Sequence, residues 1–143
     1  MQVKKKMNPV VFWVLSLTWA LPMTLVGALI FLALLCAGRK PKRFHYLFYI
    51  EIGESWGGFN VGPFFIVSKD PGLHIKQHES GHAIQNITYG PLTPFIVSIP
   101  SMCRYWYREF LVKTGRKKYN ELPPYDSAWF EGEATRLGEQ NFS

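Results

Sequence analysis

Cysteine is nearly absent from this chain. Two occur in 143 residues, Cys36 and Cys103, far apart and outside any C-x-x-C pair. That excludes a disulfide framework and a cysteine-ligated zinc site. Acidic residues are few, 10 against 16 lysines and arginines, for a formal net charge of +6. Charge of either sign is missing from Val10 to Cys36, a run of 27 residues. Positive charge gathers at Lys4–Lys6, Arg39–Arg43, Arg104 with Arg108, and Arg116–Lys118. No basic stripe stands apart from an apolar segment, so no nucleic-acid partner is expected. Basic clusters beside apolar runs fit anionic lipid headgroups instead. Histidine is scarce too, but three of the four lie within nine positions, at 74, 78 and 82.

The uncharged run is long enough for a bilayer core, which needs about 20 apolar residues in a helix. It also exceeds a signal-peptide apolar core, and no small-residue cleavage site separates it from Arg39-Lys40-Pro41-Lys42-Arg43. The expected organisation is residues 1–38 as a basic segment and a single-pass transmembrane helix, kinked at Pro22, and residues 39–143 as the functional domain. The alternative, a helical hairpin turning at Pro22, leaves arms of only about a dozen residues. Lysines and arginines flank both ends of the run, and the later basic residues tip the orientation toward a cytoplasmic C-terminal domain.

After the span, Phe44–Ile52 and Phe59–Ser68 are rich in β-branched and aromatic residues. Joined by Gly53–Gly58, they predict an antiparallel pair, with a bulge or break at Gly62-Pro63. An exposed strand of such a pair can bind an extended peptide by strand addition; the other reading is an ordinary packed hairpin.

His78-Glu79-Ser80-Gly81-His82 has the pattern H-E-x-x-H. Asp70-Pro71 predicts a helix start and Gly90-Pro91 a stop, so the pattern falls inside a helix over 71–89. Residues four apart project from one face, which lets His78 and His82 grip one metal ion. Glu79 is set about 100° and 60° round the helix from them, within reach of a metal-activated water without being a ligand. His74, one turn earlier, is either a fourth ligand or a partly exposed first-turn residue. Gly81 is costly inside a helix, and close approach of a second helix would account for it.

Pro91–Pro100 is apolar but too short to span; it reads as a buried connection or an interfacial segment. Ser101–Lys113 reads as a helix whose Tyr105, Trp106, Tyr107 and Phe110 alternate with Arg104 and Arg108, as at a membrane interface or as an ordinary core face with solvated arginines. Asp126 or Ser127 can cap a last helix. On it Glu131, Ala134 and Gly138 share a face whose small residues permit a crossing with the helix of Gly81. Glu131 would then point at His78 and His82. A catalytic zinc takes three protein ligands, and Glu131 is the favoured third; Glu133 lies about 200° round, and Glu54 sits in a loop.

Glu131-Gly132-Glu133-Ala134-Thr135-Arg136-Leu137-Gly138, following H-E-x-x-H, resembles the E-x-x-A-D-x-x-G segment of the membrane-bound gluzincins, the CAAX prenyl endopeptidases and heat-shock membrane zinc endopeptidases among them. The resemblance covers the two motif helices, about a fifth of the chain, and the wider run from Phe44 to Glu131 is similar to small membrane-anchored bacterial proteins. It implies an α+β gluzincin-like domain with zinc on His78, His82 and Glu131, Glu79 as general base, and a peptide or protein substrate near the bilayer. Thr135 stands where the family has an aspartate that supports a ligating histidine; Thr135, Asp126 or a backbone carbonyl can take that role. Tyr89, Tyr125, His74 and Arg104 are the candidates for an oxyanion stabiliser. The alternative to an enzyme is a membrane-anchored metal-binding or interaction module.

Overall fold

A computed structural model describes residues 5–143; Lys4, one of the first basic cluster, lies outside them. The chain begins as two helices where one was expected. Asn8 caps α1 (Pro9–Ser16), its side chain accepting from the amides of Val10 and Val11. The backbone breaks at 17–20 and continues as α2 (Leu21–Cys36), bent 91° from α1. The break lies upstream of Pro22, which occupies the first turn of α2. Proline clashes with the carbonyl four residues before it and donates nothing to it, so the helix gives way at Thr18 and restarts around the proline. The Thr24 hydroxyl closes the bend by donating to the carbonyl of Ser16, 2.6 Å away. At 1.5 Å per residue α2 is about 24 Å long, short of a ~30 Å hydrocarbon core. Among the described residues no single helix is long and apolar enough to cross a membrane; the bent pair together meets the composition.

The fold is α+β, with one four-stranded sheet of order β1-β2-β4-β3. Each predicted strand belongs to a hairpin: the second stretch folds on itself, and the first pairs with the residues just before it. Lys42–Phe44 (β1) folds back on Leu47–Glu51 (β2), and Gly58–Val61 (β3) on Phe64–Val67 (β4), both antiparallel. The turns fall at His45 (φ 54°) and at Gly62 (φ 74°) beside Pro63. Docking of the two hairpins brings β2 and β4 side by side in the same direction, Phe48 opposite Phe64 and Glu51 opposite Val67. The expected antiparallel pairing of the two stretches is therefore a parallel one, and Gly62-Pro63 marks a turn.

Successive residues of β4 face opposite ways. Phe65 and Val67 join Leu47, Tyr49, Ala83, Ile84, Ile87, Phe12 and Phe142 in one core layer, while Ile66 joins Ile50 and Phe31 in another. The sheet thus lies between α2 and α3 (Leu73–Tyr89). α3 starts two residues later than predicted, capped by Gly72, because Asp70 adopts φ 54° and cannot cap it. It stops at Gly90 (φ 60°) as expected.

Beyond α3 a 3-10 turn (Gly90–Leu92) leads to a π-helical turn (Pro94–Ser98) that runs into α4 (Ile99–Lys113). The segment 91–100, expected as a buried connection or an interfacial segment, is thus largely the start of a helix. Phe95, Ile99, Met102, Trp106 and Phe110, at helical spacing along it, are all exposed. The last helix, α5 (Trp129–Asn141), has Ala128 at its cap. Asp126 and Ser127 precede it in a 3-10 turn and are turned to other partners.

Candidate metal centre

α3 and α5 cross with almost nothing between them. Gly81 lies against the backbone of Ala134, and Gly138 against the backbone of Gln77. Small residues on both helices bring the axes close enough for a short glutamate side chain on one to reach the histidines of the other.

At the crossing Glu131 is wholly buried, and His78 and His82 are buried beside it. Glu131 Oε2 lies 2.9 Å from His78 Nε2 and 3.3 Å from His82 Nε2. One ligand atom from each of the three lies within 4.8 Å of the other two. The group can hold a metal ion. The expected trio is the one brought together; Glu54 is exposed in its loop, and Glu133 turns to Tyr89 and Gln85. His74 is exposed in the first turn, its ring 6.5 Å from that of His78.

The outer nitrogens of both histidines are engaged, and the bond network assigns their hydrogens. The Thr135 hydroxyl donates to Asp126 Oδ2 at 2.9 Å, so it accepts from His78 Nδ1 at 2.8 Å. The Gln85 amide nitrogen donates to the Phe130 carbonyl (2.8 Å) and to Glu133 (3.2 Å), so its oxygen accepts from His82 Nδ1 at 2.7 Å. Each imidazole then directs the lone pair of Nε2 at Glu131. Two lone pairs and a carboxylate meeting in a buried space repel one another unless a cation sits among them, a proton or a metal ion. That is the donor chemistry a metal requires, and the residues present fit one.

The same crowding sets the titration of the groups. Burial alone would raise the Glu131 carboxyl, but bonds from His78 and His82, aided by Ser101, hold it well below the usual carboxylate range. Burial would lower His82; the bond to Glu131 and the Glu79 charge outweigh it and raise it. Glu79 is pushed up by burial, against the pull of the two histidines. Its Oε2 is buried without any hydrogen-bond partner. Asn60 of β3, the edge strand, donates to the Glu79 carbonyl at 3.0 Å and fixes that strand against the metal helix.

Two residues of the site escaped the sequence reading. Gln85 follows His82 by three positions, a helical spacing that could have signalled it. Ser101 of α4, which donates to Glu131 Oε1 and so orients the carboxylate, comes from a separate element and left no local signal. Of the oxyanion candidates, Tyr125 lines the cavity beside His78 and Glu79, its ring 6.0 Å from that of His78. Tyr89 is committed to Glu133, and Arg104 to the carbonyls of Pro124 and Tyr125. Two cavities open on the site, of about 250 Å³ and about 660 Å³. Comparison with protein-family models, with curated proteins and with solved structures finds no match for this chain.

Proposed function

We propose that the protein is a membrane-attached zinc metallopeptidase of gluzincin type, with His78, His82 and Glu131 as zinc ligands and Glu79 as general base. The observation that carries the reading is the division of labour at one crossing. Three donors converge with their hydrogens turned away, while Glu79, one residue along, is buried and unpartnered at the cavity wall. Two nitrogens and one carboxylate oxygen are a donor set that zinc prefers. When bound, zinc supplies Lewis acidity, polarising a carbonyl and making water a nucleophile near neutral pH. Glu79 takes the proton of the attacking water and passes it to the departing amine. Ser101, Thr135 with Asp126, and Gln85 hold the ligands in orientation. Tyr125, which lines the cavity beside His78 and Glu79, is the candidate donor to the carbonyl oxygen. The free edge of β3 offers backbone groups to an extended peptide. The apolar α1–α2 pair and the exposed face of α4, flanked by the basic clusters, attach the domain to a bilayer whose anionic headgroups face those clusters, on the cytoplasmic side.

The second reading, a metal-binding module without catalysis, calls for a site closed by a fourth protein ligand; His74, exposed and a full turn away, is the group it would need. Zinc content and peptide cleavage of the detergent-solubilised chain separate the two. About one zinc per chain, lost in Glu131→Gln and kept in Glu79→Gln with cleavage of an unstructured protein abolished, is the expected result. Zinc retained with no cleavage by the wild type, and lost in His74→Ala, would establish the second reading. A wild type that binds no added zinc sinks both.

A further inference from the structure

The larger cavity is not closed by the metal domain alone. α2 lines it through Met23, Val26 and Ile30, and the helix that begins at the π-helical turn lines it through Val97, Met102 and Trp106. His78, Glu79 and His82 form its inner end. The helix that composition assigns to anchoring is thus a side of the reaction cleft. It is pinned there, since Gly27 lies directly against the carbonyl of Val61 in β3, where no side chain would fit.

The polarity of the cavity is graded. Its inner end carries the titratable groups, and its outer part is hydrocarbon. The rim residues Val26, Phe59, Met102 and Trp106 are 46, 43, 61 and 59% exposed. They continue into the exposed apolar faces of α2 (Leu25, Leu29) and of α4 (Ile99). An opening ringed by such residues is unfavourable toward water and favourable toward lipid. A cavity of about 150 Å³ accepts one benzene-sized group, so 660 Å³ has room for several large side chains. β3 borders the same space through Phe59, Asn60 and Val61, which suits an extended chain more than a single ring.

We propose that this cavity is a binding site for an apolar peptide segment, with leucine- or phenylalanine-sized side chains, that enters sideways from the lipid phase between α2 and α4. This rests on the reading of the metal site as the reacting centre and names its substrate class. Each large side chain that passes from the rim into the cavity tightens binding by about tenfold. Polar segments gain nothing there.

Photo-crosslinking tests it without relying on the metal. The full chain is reconstituted in vesicles of phosphatidylcholine and phosphatidylglycerol with a short leucine-rich peptide carrying one photo-leucine. A parallel arm carries a diazirine-acyl phosphatidylcholine and no peptide. The expected result is peptide labelling at Ile30 and Val97 inside the cavity, displaced by excess unlabelled leucine-rich peptide and not by a serine-rich one. Val26→Trp and Met102→Trp, both at exposed rim positions that leave the fold intact, should lower that labelling by about tenfold, the value of one leucine-sized position. Peptide labelling confined to outward residues such as Leu29 and Phe95 overturns the proposal, and so does labelling of Ile30 and Val97 by the lipid arm alone. Zinc content of the same samples is read separately. A chain that binds no zinc yet labels inside the cavity loses the peptidase reading and keeps the apolar site.

Discussion

Gly81 of α3 and Ala134 of α5 meet backbone to backbone; a Cβ on Gly81 would overlap the Ala134 carbonyl. The relationship sets the span from histidines to glutamate, so the metal centre depends on two hydrogen atoms standing where methyl groups could be. Gly81→Ala and Gly138→Ala should each destabilise the fold by about 1–3 kcal/mol, as overpacking of rigid neighbours does. They should also lower zinc affinity, because the helices must part. Thermal melts and zinc titration of the purified variants check this. A Gly81→Ala protein with unchanged zinc affinity would show that the crossing does not set the site.

His78 reaches a carboxylate through an intermediary, Thr135, which bonds Asp126. Thr135→Ala and Asp126→Asn should each weaken zinc binding by about 10–100-fold, the range seen when an outer partner of a ligating histidine is lost. The pair should be non-additive. Thr135→Asp places a carboxylate next to the ring and should make Asp126 dispensable. Chelator competition on the double-mutant cycle reads this, and additive losses would mean that the two residues do not act in series.

Removing the metal should invert the pH dependence of stability. Glu131 is held below its usual 4.5, so its contribution is present above that pH and is lost only in stronger acid. His82 is raised above its usual 6.5, so its contribution is full below 6.5 and is lost as pH rises through the raised value. Glu79, also raised, likewise loses its contribution as pH rises. The chelated protein should therefore melt highest near pH 4.5 and fall as pH rises from there, first through Glu79 and above 6.5 through His82 as well. With zinc the melting temperature should rise with pH over the same interval, since metal replaces protons. Parallel slopes with and without zinc would contradict the assignment of the trio.

The exposed row on α4 predicts reversible lipid binding of its own. Trp106→Ser with Phe110→Ser should leave the melt nearly unchanged, both being exposed. The pair should reduce co-flotation with phosphatidylglycerol vesicles. Added salt should weaken binding further through Arg108, Lys113 and the 116–118 cluster. Flotation equal to wild type would leave the α1–α2 pair as the sole attachment.

What sequence could disclose tracks the range of the interaction. The H-E-x-x-H helix, its glycine stop, the α5 crossing and Glu131 follow from spacing and residue size along single helices, and they are where expected. The sheet was half legible. The apolar stretches were found, but His45 turning at positive φ carries no distinctive signal, and a parallel β2–β4 pair is a consequence of two hairpins docking. The α1–α2 break was expected as a kink at Pro22 and lies upstream, because the proline's steric effect falls on the carbonyl four residues earlier. Asp126 reads as a helix cap and instead reaches Thr135. Ser101 could be found only from coordinates, since its role exists only once α4 meets α5.

The apolar helices precede α3 along the chain, and Glu131 comes 49 positions after His82. Chains emerge from the ribosome N-terminus first at about 5–20 residues per second. Several seconds of synthesis therefore separate the two histidines from the carboxylate that completes their set. Over that interval α1 and α2 are already exposed and can settle at a bilayer, while the nascent chain has neither α5 nor a closed metal site. On the proposed reading, lipid attachment would thus come before maturation of the metal centre, and a hydrolase that gains its metal last would be inert during its own synthesis.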